Sequence, residues 1–337
     1  MREIDIKELK KYCNPSYLTI RRDRIIVNSR RLAELSKAKK EKIERKFKIP
    51  VIYSKSYELI SQKMGRYVSK HGIITPKDRL IVGLSGGKDS LALLHLLEPY
   101  RRRFGVKIYA VTVDINVGGI RPWHPENSNV KKIVEHCEAL NIPHRIISFH
   151  EDVVKMSQLL SDNSTGIVYS PCFSCSIVRR YVLTNFAMEL VEKEGVERDK
   201  IKICLGHTLE DNSDTILANI FKGDIIRVLE PIKDFEEAVF DFKEFKLKLQ
   251  RCTIARPLLS VSEKDILKAL NECDIQYYRD KEICPYSRDR GDSIRKRCHE
   301  ILENLEKDVK NIREMVVSSV LKSIEYYRDK DKNSIHR

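Results

Sequence analysis

Residues 80–97, LIVGLSGGKDSLALLHLL, leave this chain few choices of fold. Leu80-Ile81-Val82-Gly83-Leu84 is an apolar run of strand length. Ser85-Gly86-Gly87-Lys88-Asp89-Ser90 is a tight polar turn, and an apolar helix follows from Leu91 to Leu97. Strand, glycine turn and helix in that order turn backbone N–H groups onto a phosphate. Glycine permits positive φ and a close approach of the anion. Lys88 adds a point charge, and Asp89 is a carboxylate able to hold Mg²⁺.

The same alternation continues downstream. Strands are expected at Val106–Ile115, His144–Phe149, Lys200–Leu205 and Thr253–Leu258, and helices at 55–71, Asn129–Leu140, 151–163, Pro171–Glu194, Asn212–Phe221 and Ser262–Cys273. This pattern predicts an α/β fold with a doubly wound, mostly parallel sheet. Asp114 ends the second strand and Gly206-His207 follow the fourth. Carboxyl ends of strands in such sheets line one crevice, so these residues belong with the glycine turn. The α/β domain is expected over 51–290, with an insertion at 222–250 that has no readable structure. A helical extension over 291–330 runs from about Asp292 to Tyr327 with one break.

Residues 1–50 form a basic N-terminal arm or subdomain, with a short helix at Asp5–Tyr12, a strand at Arg24–Ser29 and a helix at Ala33–Phe47. They hold 16 Lys+Arg against 7 Asp+Glu, in a chain of 337 residues whose formal net charge is +14. Such asymmetry points to a polyanion, and beside a nucleotide site that needs an acceptor it favours RNA. There is no apolar run of membrane-spanning length and no apolar signal core after Met1, so a cytoplasmic location and no membrane partner are expected. Nine cysteines, an odd number, argue against a disulfide framework in that compartment. Cys172-x-x-Cys175, with Cys284 far downstream, supplies three thiols. These can hold three corners of a [4Fe–4S] cluster, bind Zn²⁺ with a fourth ligand, or include a redox pair. The other cysteines sit in apolar or helical patterns and read as core.

SGGKDS departs from the G-x-x-x-x-G-K-[ST] loop and resembles the PP-loop of ATP pyrophosphatases, which cleave ATP between the α and β phosphates. PCFSCSIVRR, GHTLEDNSDTILANIF, RPL and ICPYS follow in order. Together they resemble the PP-loop tRNA 2-thiolation enzymes over about residues 55–325. The resemblance implies ATP and Mg²⁺ held by Ser85, Gly86, Gly87, Lys88, Asp89 and Ser90, with Asp114, Gly206 and His207 completing the nucleotide site. It implies a [4Fe–4S] cluster on Cys172, Cys175 and Cys284, or in an older reading a persulfide relay through Cys175 or Cys284. Lys88, Asp89, Arg179 and Asp211 are the implied catalytic residues: Lys88 for the departing pyrophosphate, Arg179 for a phosphate and Asp211 for a metal or general-acid role. The partners implied are tRNA and a sulfur donor, sulfide or a carrier protein, with a homodimer left open.

Two departures stand out. The family pattern is usually GHN-x-DD or GHH-x-DD, where this chain has GHTLED, with Glu210 as the first acid. The paired C-x-x-C motifs of flanking zinc ribbons are missing, so RNA contact is expected to fall to the basic arm around Arg21–Lys48. The Cys-Pro-Tyr-Ser form favours a uridine target. An amine-accepting PP-loop ligase, or a zinc-stapled RNA-binding protein with a vestigial nucleotide site, remain the alternatives.

Overall fold

The computed structural model describes residues 4–162, 168–224, 228–279, 284, 286 and 294–334. The N-terminal stretch builds a core of its own. Helix α1 (Ile6–Leu9), capped by Asp5, leads into β1 (Leu18–Ile20), β2 (Ile25–Val27), α2 (Lys37–Phe47) and β3 (Val51–Tyr53). β1 and β2 pair antiparallel and β2 and β3 parallel, so this sheet runs past residue 50 to Tyr53. Leu9, Leu18, Ile25, Val27, Ile43 and Val51 are buried together. Helix α2 offers that core Ile43 and leaves most of its cations on the surface.

The unit docks on the remainder through buried polar contacts. The Thr19 hydroxyl meets that of Tyr57 at 3.0 Å and donates to the His95 carbonyl at 3.1 Å. The Ile20 N–H donates to Glu98 at 3.0 Å. Buried Arg21 donates to His95 Nε2 at 2.7 Å and His136 Nδ1 at 3.2 Å. Burial, aided by the guanidinium, lowers the pKa of both imidazoles, that of His136 to about 4. Both rings are therefore neutral at pH 7, and each can accept on the nitrogen that faces Arg21.

Helix α3 (Lys55–Lys70) follows, burying Tyr57, Ile60, Met64 and Val68 at helical spacing. The main sheet then forms from β4 (Arg79–Gly83), α4 (Lys88–Leu97), α5 (Tyr100–Phe104), β5 (Lys107–Asn116), α6 (Asn129–Ala139), β6 (His144–Asp152), α7 (Val153–Asp162), α8 (Pro171–Glu194), β7 (Ile201–Cys204), α9 (Leu209–Phe221), β8 (Ile232–Phe235), β9 (Ala238–Asp241), β10 (Lys246–Leu249), β11 (Cys252–Ala255) and α10 (Glu263–Glu272). Strand order is β6-β5-β4-β7-β11-β8, parallel except for β8, which runs antiparallel to β11. This is the expected doubly wound sheet. Residues from α3, α4 and α10 pack in one large core, and Leu183, Phe186 and Leu190 of α8 pack on Ile81, Ile203 and Ile254 in another. Strand order reverses between β4 and β7, which makes that junction the switch point where ligands bind.

The 222–250 insertion supplies β8 at the sheet edge and a β9–β10 hairpin. Phe242, Leu247 and Leu249 of that hairpin pack with Ile177, Val178 and Val182 of α8. Beyond α10 come α11 (Ile294–Leu305) and α12 (Ile312–Ser334), separated by the expected break. Buried Arg313 fixes α12 to α9, donating to Asp214 at 2.5 Å and Ser213 at 2.9 Å. Pro285 and Ser287 of the Cys-Pro-Tyr-Ser stretch, and the expected helix start at Asp292, lie outside the described residues. Among the described residues no helix is long and apolar enough to cross a membrane.

Candidate active site

β4 ends at Gly83, and the chain turns through 85–87 into α4, whose first residue is Lys88. Gly86 has φ +74°, and a Cβ there would lie 2.8 Å from Trp123 and 3.0 Å from Ile133. Both backbone and space demand glycine. The Ser90 hydroxyl donates to the Gly87 carbonyl at 3.0 Å and accepts from the Ser85 N–H at 3.2 Å. The Ser85 hydroxyl accepts from the Gly87 N–H at 3.4 Å. The serines expected to hold phosphate thus brace the turn itself. Tyr278 supports it from outside: its N–H donates to the Gly86 carbonyl at 2.9 Å, and its ring stands edge-on to Trp123. Tyr278 lies six residues before Cys284, so the third cysteine's segment departs from the glycine turn.

Gly206, just after β7, meets the same turn. A Cβ there would lie 3.0 Å from the Asp89 carbonyl carbon and 3.1 Å from the Ser90 nitrogen. The first turn of α4 thus packs directly against this glycine, which the resemblance assigns to the nucleotide site.

The Lys88 ammonium is 2.9 Å from Asp89 Oδ2 and 2.7 Å from Glu263 Oε2. Burial would lower its pKa, but the two carboxylates carry it upward, so Lys88 is charged. Burial pushes the Asp89 carboxyl up to about 7; Lys88 offsets part of this, and the charges of Glu263 and Asp211 add to it. Burial likewise raises Glu210 to about 7, although Glu210 accepts the Glu263 N–H at 3.0 Å. Glu263 opens α10, and its only sequence signal was the Ser262 helix cap. Asp211 forms a capping box with Thr208 and receives Arg295 at 2.5 Å. Its carboxylate holds the start of α9, while α11 brings a guanidinium against it.

Asp114 is fully buried, accepting Ser148 at 2.9 Å and ion-paired with Arg121. Asp89 Oδ1, Asp114 Oδ1 and His207 Nδ1 are buried without a hydrogen-bond partner among the described residues. His207 is kept neutral chiefly by burial, which lowers its pKa. Unpaired buried polar atoms are costly. Three of them, after β4, near the end of β5 and after β7, fit a polar ligand such as a nucleotide lying across the strand ends. No three His, Cys, Asp or Glu side chains among the described residues converge on one metal position. Mg²⁺ here would therefore take phosphate oxygens and water alongside Asp89, its usual mode with nucleotides.

The cysteines divide by exposure. Cys172 is exposed, Cys175 and Cys284 are half-buried, and the other six are buried. Burial raises Cys13 and Cys252 to about 11, and Cys137, Cys204 and Cys273 to about 12, which makes them inert core thiols. Pro171 opens α8, which sets Cys172, Cys175 and Arg179 at i, i+3 and i+7 along one face. Cys175 packs against the hydrophobic cluster that includes Ile115 near the carboxyl end of β5. The structure does not bring Cys284 and this pair into a closed metal set. The donor chemistry nevertheless fits a thiolate-held cluster, because the accessible thiols are the three singled out by spacing. Arg179 is exposed, whereas its neighbour Arg180 lies over Phe235 at 4.6 Å.

A PP-loop domain profile matches residues 56–298. The chain is 57% identical to a "probable sulfurtransferase" of Methanocaldococcus jannaschii over 97% of either chain. It is 28% identical to "tRNA 2-thiolation protein NcsA" of Haloferax volcanii, over 71% of this chain and 68% of that one. Among solved structures, the U34-tRNA thiolase NcsA of Methanococcus maripaludis with its [4Fe-4S] cluster superposes with a TM-score of 0.55 at 24% identity, covering 80% of each chain.

Proposed function

This chain belongs to the PP-loop family, and on that premise we propose that it is an ATP-dependent tRNA 2-thiolation enzyme. The observation that carries the sulfur half is the exposure split: three accessible cysteines in the family's C-x-x-C…C-P-Y-S order, and six buried ones. Relatives named for sulfur transfer and tRNA 2-thiolation support the reading.

The glycine turn and the first N–H groups of α4 receive the ATP phosphates. Lys88 stabilises charge on the departing pyrophosphate, and Asp89 contributes a carboxylate oxygen to Mg²⁺. The C2 carbonyl oxygen of a tRNA pyrimidine, with uridine favoured, attacks the α phosphorus, and the bond to the β-phosphate oxygen breaks. Sulfide then adds to C2, and AMP leaves with the former carbonyl oxygen. Cys172, Cys175 and Cys284 would hold a [4Fe–4S] cluster, which would supply sulfide at neutral pH. Arg179, on the cysteine face of α8, stands ready for a phosphate. The sulfide comes from a donor, free or carried on a protein, and the reaction belongs in the cytoplasm.

The N-terminal unit supplies the RNA surface. Lys37, Lys42, Arg45 and Lys48 are exposed, and Arg30 lies over the exposed Tyr53 ring at 5.5 Å. Cations track phosphate, and an exposed ring offers a base something to stack on.

The deciding experiment is nucleoside mass spectrometry of tRNA from a deletion strain, complemented with wild type or with Cys172→Ser, Cys175→Ser and Cys284→Ser. One thionucleoside should disappear and return with wild type alone. Purified anaerobically, the variants should lose iron and keep ATP binding. A fully active triple variant would refute the reading.

A further inference from the structure

We propose that Glu263 competes with ATP phosphate for the donors of Lys88, so that a phosphate taking more than one of them opens a Glu263–Lys88 latch. The proposal rests on the nucleotide reading of the glycine turn and adds a residue that the turn itself does not contain.

An ammonium has three donors and no acceptor. Two of the Lys88 donors already meet carboxylates, Asp89 at 2.9 Å and Glu263 at 2.7 Å. One donor is left over, so a phosphate that takes two hydrogen bonds from Lys88 displaces one of these carboxylates. Asp89 is adjacent in the same helical turn, and its other oxygen is buried, so its carboxylate travels with Lys88. Glu263 stands on a different element, α10, and its side chain is 32% exposed. Its backbone is anchored separately, because its N–H donates to Glu210 at 3.0 Å and Ser262 caps the helix. The Glu263 side chain can therefore swing away while α10 stays in place.

The local charge favours the same conclusion. Asp89 and Glu263 both meet Lys88, Asp211 adds its charge at Asp89, and the cation opposite Asp211 is Arg295. A carboxylate that holds Lys88 would repel an entering triphosphate once displaced. Removing its charge should then help ATP twice: Lys88 is released and the repulsion disappears. A partly exposed ion pair of this kind corresponds to roughly 1.5- to 5-fold in affinity.

The test is calorimetry of ATP binding to Glu263→Gln, to Lys88→Gln and to the double variant, with and without Mg²⁺. Glu263→Gln should bind ATP roughly 2- to 5-fold more tightly than wild type. This gain should shrink in the Lys88→Gln background, where only the loss of repulsion remains. The Mg²⁺ concentration for half-saturation should not rise. Unchanged or weaker ATP binding by Glu263→Gln overturns the proposal, as does an equal gain without Lys88. A rightward shift in Mg²⁺ dependence also overturns it, by making Glu263 a metal ligand. Should Glu263→Gln fold poorly, Glu263→Ala keeps the same comparison. Failure of wild type to bind ATP would sink the nucleotide reading; binding that ignores Glu263 would sink the latch alone.

Discussion

Gly206→Ala separates two explanations of one glycine. If Gly206 is small so that a nucleotide can approach, alanine should weaken ATP binding and leave the free protein as stable as before. The structure argues for packing. A Cβ would stand 3.0, 3.1 and 3.1 Å from the Asp89 carbonyl carbon, its oxygen and the Ser90 nitrogen, all main-chain atoms of α4. Carbon atoms pack comfortably at about 3.5–4.0 Å, so either the turn after β7 or the start of α4 must retreat by several tenths of an ångström. Overpacking of this kind costs about 1–3 kcal/mol. Gly206 lacks a positive φ, so alanine adds no backbone strain to that figure. Urea denaturation of the ligand-free protein should show this loss, with ATP affinity falling in parallel because the phosphate turn moves with α4. An ATP-binding defect with unchanged ligand-free stability would refute the packing account and return Gly206 to the nucleotide.

Other outcomes follow from the buried charges and the basic surface. His136 has its folded pKa depressed to about 4, so its contribution to stability is complete above about 6.5 and is lost as pH falls toward 4. Between pH 7 and pH 5 that loss is about 2 kcal/mol. His136→Gln should lose correspondingly less than wild type over that range in urea denaturation; identical pH profiles would refute this. Arg313→Ala leaves Asp214 buried with His299 alone, and should cost about 3 kcal/mol. A calorimetric melt unchanged within a degree would contradict it. Reversing exposed Lys37, Lys42 and Arg45 to Glu should weaken tRNA binding and lower its log–log salt slope by about 2–3. ATP affinity should not move; an unaltered salt slope would remove α2 from the RNA surface.

The sequence was most legible where local chemistry is strong. Pro171 and Gly195, the latter at φ 61°, bracket α8 at its expected bounds. The β4 turn and α4 follow from one eighteen-residue stretch. The 222–250 insertion was opaque because β8, β9 and β10 are four-residue strands, whose partners in β11 and α8 periodicity does not reveal. The candidate site divides in the same way. Ser85–Ser90, Asp114 and His207 lie at strand ends that alternation alone locates. Glu263, Arg295, Arg121 and Tyr278 gain their meaning from contacts with Lys88, Asp211, Asp114 and Gly86. A lone charged or aromatic residue carries no local sign of such a partner. Asp211 shows the opposite limit: its motif suggested chemistry, and the structure adds a helix cap and an arginine.

The architecture also explains how a basic surface can serve a distant phosphate cradle. Helix α4 carries Lys88 at its first residue, while His95 near its other end, and Glu98 just beyond it, contact the N-terminal unit. Helix α10 also reaches from the site outward: Glu263 meets Lys88, and Glu272 at the far end accepts Ser54 at 2.6 Å and Ser56 at 3.0 Å at the start of α3, next to the N-terminal unit. Arg24 adds a bond to the Cys273 carbonyl at 3.0 Å. Each helix has ten residues and so spans about 15 Å. Two rods of equal length thus join the N-terminal unit to the two sides of the Lys88–Glu263 pair. Charge changes on α2 should alter where the RNA lies without altering the phosphate turn. Breaking the Arg21–His95–His136 junction should do something different: loosening the far end of α4 should raise the KM for tRNA and ATP together. If Arg21→Ala raises the KM for tRNA alone, the rods do not transmit and the two surfaces act independently.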